Sequence, residues 1–215
     1  MTVKITAILA RGESGAEVCF ELCGGDGQIE LKKLLISAAQ LANLRLSVGE
    51  ANEEIFDAVE REARLYEAVR RAARSLEYGS CSKKTLCIKL RRAGFDTEIS
   101  AEAVEFLAAR GLLDDYSNAC REAEKCEKKL WGRKRIEAEL LKKGYGGDSV
   151  RGALDYLDGV GVDYVANCKR LVGQKLRHGT SDAETLKKLY PSLIRYGYSP
   201  SEIKSALSYF LSKRK

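Results

Sequence analysis

A Leu, a Gly four residues later and an aromatic directly after that Gly occur together three times in this chain. The copies are Leu90/Gly94/Phe95, Leu140/Gly144/Tyr145 and Leu193/Gly197/Tyr198. The correspondence extends without gaps on both sides. Nine residues before each aromatic stand Leu86, Ile136 and Leu189, and eight after it stand Ala103, Ala153 and Ala206. Val104, Leu154 and Leu207 follow, and then Leu107, Leu157 and Phe210. A tyrosine opens each unit, at Tyr66, Tyr116 and Tyr164, and the first two units are offset by 50 residues at every position. Units of about 50 residues that cannot bury their apolar face alone stack into an array. An extended array suits an extended partner.

Each unit reads as three short helices. In the first, Asn52 caps a long helix that begins with Glu53 and Glu54, acids favoured by the dipole there, with an apolar stripe of Ile55, Val59, Leu65, Val69, Ala72 and Leu76. Ser82 caps the second helix, Gly94 ends it in a left-handed conformation, and a third helix runs over about 97–110 to Gly111. The second unit follows with helices over 116–130, 133–143 and 148–160. The third begins at Asp163, has a linker five residues longer around His178, and ends in a helix with a capping box of Ser199, Pro200 and Glu202. Pro191 falls inside its middle helix, where a proline costs roughly 3 kcal/mol unless the helix kinks or restarts, so a kink is expected near 187–191.

Ahead of the units lies a β-rich head of about 50 residues. Alternation predicts strands over 3–9 (Val3, Ile5, Ala7 and Leu9 on one face) and 16–22 (Val18, Phe20 and Leu22 on one face). Turns are expected at 11–15 and at the Gly24-Gly25-Asp26-Gly27 stretch. Residues 28–31 allow a third short strand, 34–44 reads as a helix and 46–50 as a connector. A head of that size leans on the first long helix for its core. The expected fold class is therefore mainly α: three tandem three-helix repeats in an elongated curved array with a small β-rich N-terminal head. The expected divisions are 1–50 for the head, 51–113 for the linking helix and repeat 1, 114–162 for repeat 2, and 163–215 for repeat 3.

Composition agrees with helix: 2 Pro, 7% aromatic residues and 32% charged residues in 215. No apolar run approaches the roughly 20 residues of a membrane span, and the first ten residues lack a signal-peptide pattern. The expectation is a cytoplasmic monomer. The net charge of +6 is uneven. Residues 1–64 carry 7 basic against 11 acidic side chains, and residues 65–215 carry 30 against 20. A basic repeat region suits a polyanion or an acidic protein surface.

Catalytic signatures are missing: no Walker A loop, GxGxxG, HExxH or GxSxG occurs. The seven cysteines form no CxxC pair, and with one histidine the usual zinc sets are missing; they read as reduced thiols filling core positions. No cofactor is implied. Asp114 and Asp115 read as helix caps and His178 as a loop residue. The informative side chains are basic. Arg91 and Arg92 end the middle helix of repeat 1, and Lys142 and Lys143 that of repeat 2, where cations complement the dipole. Lys128, Lys129, Arg133, Lys134 and Arg135 flank a turn and a helix start, where positive charge is disfavoured, which points to an external anion. Lys187 and Lys188 belong to repeat 3. Trp131, between two basic pairs, reads either as core or as a stacking platform.

Two stretches resemble the RecX family, regulators of the bacterial recombinase RecA. One is Gly111-Leu112-Leu113-Asp114-Asp115 with Ala119. The other runs Gly132-Arg133-Lys134-Arg135-Ile136-Glu137-Ala138-Glu139-Leu140-Leu141-Lys142-Lys143-Gly144 and is similar to the family's most characteristic segment. Ser82 through Leu86 and Leu90 to Gly94-Phe95 resembles a further one, with Thr85 where the family has Glu; Asn118 stands where Phe is frequent. The resemblance covers about 65–211, with repeat 3 the most divergent. It implies three three-helix repeats in a curved rod, which bind the RecA–DNA filament through RecA and through single- or double-stranded DNA phosphates. It further implies inhibition of the recombinase, ATPase and co-protease activities, with roles in DNA repair, recombination and the SOS response, and no enzyme activity of its own. The contact residues expected are Arg91, Arg92, Lys128, Lys129, Arg133, Lys134, Arg135, Lys142, Lys143, Lys187 and Lys188. A general nucleic-acid binder without RecA specificity is the alternative. An enzyme using Cys120 or Cys168 as nucleophile is a third reading, for which no base is apparent.

Overall fold

The structure is a computed structural model that describes residues 2–12, 15–25, 27–176 and 183–212. Among these are a small antiparallel sheet and ten helices, nine of which follow the last strand. The strands are β1 (Thr2–Arg11), β2 (Gly15–Cys23), β3 (Ile29–Ser37) and β4 (Gly49–Ala51), in the order β3-β2-β1-β4. The helices are α1 (Ala38–Leu44), α2 (Glu53–Glu77), α3 (Lys83–Arg92), α4 (Thr97–Ala109), α5 (Asp115–Glu127), α6 (Arg133–Lys142), α7 (Gly147–Gly159), α8 (Tyr164–Leu176), α9 (Ala183–Arg195) and α10 (Pro200–Ser212). The chain divides into two compact units. One is Met1–Gly79 with Leu86–Leu113; the other is Ser80–Thr85 with Asp114–Lys215, so the chain passes between them three times, once inside α3.

In the first unit one face of the sheet lies on α2. Val3, Ile5, Val18, Phe20, Leu22 and Ile36 share a core with Phe56, Val59 and Ala63, and Phe20 meets Phe56 edge-on at 5.2 Å between ring centroids. The head thus draws its core from the first long helix, as expected of so few residues. Asn52 caps α2 by accepting from the Ile55 amide at 2.9 Å.

Several expectations for the head need correction. β3 runs through Ser37, so the predicted helix over 34–44 is confined to α1. The run Leu34-Leu35-Ile36 fits either structure by composition, and nine-residue pairing with β2, from Gly15 opposite Ser37 to Cys23 opposite Ile29, decides for strand. Ser37 then opens α1 with a capping box to Gln40. The connector at 46–50 contains most of β4, which pairs with β1. In β1 the register shifts between Ile5 and Ala7. This bulge turns the second half of the strand over, so Ile8 instead of Ala7 and Leu9 packs toward the core, and Leu9 is exposed. On α2 the buried stripe runs through Phe56, Val59, Ala63, Leu65, Ala68 and Ala72, while Ile55 is exposed.

The recurring Leu…Gly-aromatic motif is a helix stop. In each copy the Gly has positive φ (Gly94 95°, Gly144 84°, Gly197 89°). In each the aromatic amide donates back to the Leu carbonyl: Phe95 to Leu90 at 3.3 Å, Tyr145 to Leu140 at 3.2 Å and Tyr198 to Leu193 at 3.3 Å. This is the Schellman closure, in which the residue after a left-handed Gly also packs on the last helical turn. Phe95, Tyr145, Tyr198 and the three leucines are accordingly buried, and Ala103, Ala153 and Ala206 are fully so. Leu189, Leu207 and Phe210 of the third copy are only partly buried against the core. Asp114 caps α5 through the amides of Tyr116 and Ser117, and Asp115 accepts from the Lys83 amide at 2.8 Å, so the acidic pair does cap helices, two different ones. Ser199 and Glu202 form the expected box. Pro191 lies inside α9, which is continuous across it.

Two further contacts recur within the second unit. The Ser82 and Thr85 hydroxyls lie 2.8 and 2.9 Å from the Lys143 carbonyl at the end of α6. One copy on, the Gly132 amide donates to the Tyr196 carbonyl at 2.8 Å and the Lys134 amide to the Gly197 carbonyl at 3.2 Å, at the end of α9. Ser82 and Gly132 occupy the same place in the repeat, as do Lys143 and Tyr196. The second junction is the closer: a Cβ on Gly132 would lie 2.4 Å from the Gly197 carbonyl carbon, and one on Gly197 2.3 Å from the Arg135 nitrogen. Gly132 has ordinary φ (−77°), so its substitution isolates the clash. Gly132→Ala is expected to destabilise the protein by about 2–3 kcal/mol, read as a lowered thermal midpoint. The corresponding Ser82→Ala, which loses only hydrogen bonds, is expected to cost about 1 kcal/mol.

Candidate partner-binding surface

The α5–α6 turn of the second unit is built around an irregular residue. Leu130 is buried and has φ of 56°, left-handed for a non-glycine. The buried Tyr198 hydroxyl donates to its carbonyl at 2.8 Å. Desolvation raises the Tyr198 pKa and keeps that hydroxyl a donor. With Leu130 turned inward, Lys128 and Lys129 point to solvent and Trp131 lies half-buried on the apolar core.

The structure assigns different environments to the basic residues expected from sequence. In this unit Lys128, Lys129, Arg133, Lys134 and Arg135 gather at the start of α6. Lys142 and Lys143 stand at its other end, roughly 14 Å along a helix of this length. Arg133 reaches Asp158 at 3.1 Å and Asp155 at 3.5 Å, both on α7. Lys143 pairs with Glu122 at 2.9 Å, and Lys188 with Glu184 at 2.8 Å one helical turn away. Arg135 lies over the rings of Trp131 and Tyr196. The inference that positive charge at the start of α6 requires an external anion therefore fails for Arg133, which has its own carboxylates. It is weakened for Arg135, whose charge faces two aromatic rings. Lys128, Lys129, Lys134, Arg135, Lys142 and Lys187 pair with no carboxylate among the described residues. In the first unit the same is true of Arg91 and Arg92, which border a hollow of about 530 Å3 with Ile88, Phe95, Asp96 and Thr97.

Sequence reasoning passed over Lys84 and left Arg195, a basic residue of repeat 3, off the expected contacts. Lys84 holds the place in its repeat that Lys134 holds in the next, and Arg195 the place of Lys142. Each junction between copies thus presents an exposed cation from the earlier middle helix and one from the later: Lys84 with Lys142, and Lys134 with Arg195. Counting back from the recurring aromatic finds both. Lys213, Arg214, Lys215 and His178 lie outside the described residues.

The tyrosines that open each copy are not equivalent. Tyr164 is buried, which pushes its pKa up to about 12. Tyr66 is half-buried, and Tyr116 is exposed with its ring against Gly152, where a Cβ would come within 2.9 Å. The cysteines hold thiols. Cys120, Cys126 and Cys168 are buried, and desolvation raises all three pKa values, Cys168 to about 12. Such thiols are not thiolates at neutral pH, which argues against Cys120 or Cys168 as a nucleophile. Among the described residues no cluster of His, Cys, Asp or Glu could hold a metal ion, and no helix is long and apolar enough to cross a membrane.

No family model matches the sequence. The chain is 33% identical over 137 residues to regulatory protein RecX of Pelodictyon phaeoclathratiforme, covering 63% of this chain and 84% of that protein. The chain belongs to the RecX family. Regulatory protein RecX of Xanthomonas campestris is 30% identical over 144 residues, with 66% and 87% covered. That of Chlorobium limicola is 26% identical over 143 residues, with 66% and 88% covered. The fold is also that of solved RecX structures. A crystal structure of regulatory protein RecX superposes with a TM-score of 0.73 at 20% identity, covering 94% of this chain and 97% of that one. RecX from Lactobacillus salivarius superposes with a TM-score of 0.61 at 20% identity, with 68% and 96% covered. In this RecX-family chain the characteristic Gly132-to-Gly144 segment is α6 with both its junctions: Gly132 admits the end of α9, and Gly144 meets Ser82 and Thr85.

Two outcomes follow from the site's geometry. Tyr198→Phe leaves the Leu130 carbonyl without its donor and is expected to cost about 1 kcal/mol in denaturant unfolding. Burial raises the Glu122 pKa, but the Lys143 hydrogen bond and the charges of Lys143 and Lys125 outweigh it and leave it lowered. The Glu122 hydrogen bond in turn raises Lys143. A lowered carboxylate stabilises above its unfolded pKa and a raised amine below its own. The pair therefore contributes between about pH 4.5 and 10.5. With Lys143 partly exposed, the contribution is below about 1 kcal/mol. Glu122→Gln should flatten the acid limb of a stability–pH curve; an unchanged acid limb would contradict the pairing.

Proposed function

We propose that this RecX-family protein regulates RecA by binding the RecA–DNA filament, and that it mainly inhibits the recombinase, ATPase and co-protease activities. Family membership supports the reading. The observation that carries it is the repetition of unpaired cations at successive junctions, Lys84 with Lys142 and Lys134 with Arg195, with Lys128 and Lys129 beside the second. Charge that recurs with the repeat suits a partner whose own charge recurs along its length, as DNA phosphates do. The remaining candidates, Arg91, Arg92, Arg135 and Lys187, are proposed as contacts on the same ground. Arg133, Lys143 and Lys188 are proposed as secondary ones, because binding must first compete with Asp155 and Asp158, Glu122 and Glu184. The cations would contribute charge and orientation to the encounter, without base readout. The protein acts as a cytoplasmic monomer in DNA repair and recombination, and it needs no cofactor.

The test is RecA ATP hydrolysis on single-stranded DNA, titrated with this protein. Inhibition is expected well below one protein per RecA subunit. Lys134→Glu with Lys142→Glu, which breaks no internal ion pair, is expected to weaken inhibition tenfold or more while circular dichroism stays unchanged. No inhibition by a folded protein that still binds DNA would leave a general nucleic-acid binder. Salt separates the two further, since phosphate binding alone falls steeply with salt.

A further inference from the structure

One group of side chains in the second unit is arranged in more detail than charge attraction requires. The Arg135 guanidinium carbon lies 4.0 Å from the centre of the Trp131 ring and 5.0 Å from that of Tyr196. Lys129 Nζ stands 5.3 Å over Trp131, and Lys175 Nζ 5.2 Å over Tyr196. Both rings are half-buried. Among the described residues none of the three cations pairs with a carboxylate. Three cations without a carboxylate partner are thus gathered around two rings, whose π faces attract them.

The group is also held rigidly. Trp131 follows the left-handed Leu130, whose carbonyl is tied to Tyr198. Tyr196 offers its carbonyl to the Gly132 amide. The rings come from consecutive copies of the repeat and are placed by backbone contacts, so a ligand would find them already positioned.

We infer that Trp131, Arg135 and Tyr196 form a seat for an unstacked base of a single-stranded nucleic acid, with Lys129 and Lys175 meeting the flanking phosphates. A duplex keeps its bases stacked inward and would engage the lysines while leaving the planar groups unused. An unstacked base has a π face that matches an aromatic ring or a guanidinium plane. The absence of any paired acid favours a polyanion over a mixed-charge protein surface. The inference deepens the proposed function and rests on its reading that these basic positions meet nucleic acid, but it requires no RecA.

Trp131 is the sole tryptophan of the chain, so intrinsic fluorescence reports on this seat alone. The purified protein is titrated with oligodeoxythymidylate of about 15 nucleotides, then with an abasic strand of equal phosphate number. Thymidylate is expected to quench Trp131 saturably. The abasic strand is expected to bind about tenfold more weakly, as stacking energies of this kind imply, and to leave the emission unchanged. Arg135→Lys keeps the charge and removes the plane. It should weaken thymidylate binding about tenfold and leave abasic binding as it was. Equal affinities for the two strands, untouched by Arg135→Lys, would overturn the seat while leaving phosphate contact and RecA regulation standing. Quenching by RecA without DNA, together with no response to thymidylate, would also overturn it and make the group a protein-docking site. A failed ATPase titration, by contrast, sinks the RecA reading and leaves the base seat to be judged on its own data.

Discussion

The close approach of two backbones, Gly132 at the start of α6 and Gly197 at the end of α9, is the constraint on which the second unit depends. It works only without side chains: a Cβ on either residue would enter space already filled by the other strand of chain. The contact satisfies amides at a helix start that has no side-chain cap. It also positions everything nearby. Tyr198, directly after Gly197, reaches the Leu130 carbonyl and shapes the turn; Tyr196, directly before it, lies beside Arg135. One copy earlier the same place is filled by Ser82, and hydroxyls substitute for the backbone amide. A wider, hydroxyl-bridged junction and a tight, glycine-to-glycine one are two solutions to a single packing problem.

Charge divides along the same lines. The cations that the fold uses for itself are those within reach of an acidic neighbour: Arg133 beside α7, Lys143 beside Glu122, Lys188 one turn from Glu184. Of the cations left over, Lys84 and Lys142, and Lys134 and Arg195, stand at the junctions, where two helix ends meet. An ion pair between exposed groups adds little to stability, so the internal pairs matter less for holding the fold than for deciding which charges remain outward. Sequence sorts the basic residues by their place along a helix; the structure sorts them by neighbour.

The helices were legible because their boundaries are written in local chemistry. Asn52, Asp114, Ser199 and the recurring left-handed glycines act within a few residues of themselves, and the structure places helix ends where they stand. The head was less legible. Leu34-Leu35-Ile36 has no intrinsic preference strong enough to choose, and a partner strand some twenty residues away chose for it. The bulge near Thr6 has no signature in β1 and reverses which residues face the core. In the basic cluster, Trp131 could be singled out from its setting between lysines and arginines. Tyr196 and Lys175 could not, because they lie 40 residues or more away and approach Trp131 only once α9 has met α6.

The sequence by itself determined the helical class, the three copies, the stops between helices and the excess of positive charge, since each depends on spacing or on residue identity over a short span. Tertiary structure decided which cations are spent on carboxylates and which remain outward, which strand completes the sheet, and that an indole, a guanidinium and a phenol share one place. Those outcomes depend on distances between segments remote in the chain. Such distances are set by how closely backbones can approach, here to the limit that two glycines allow.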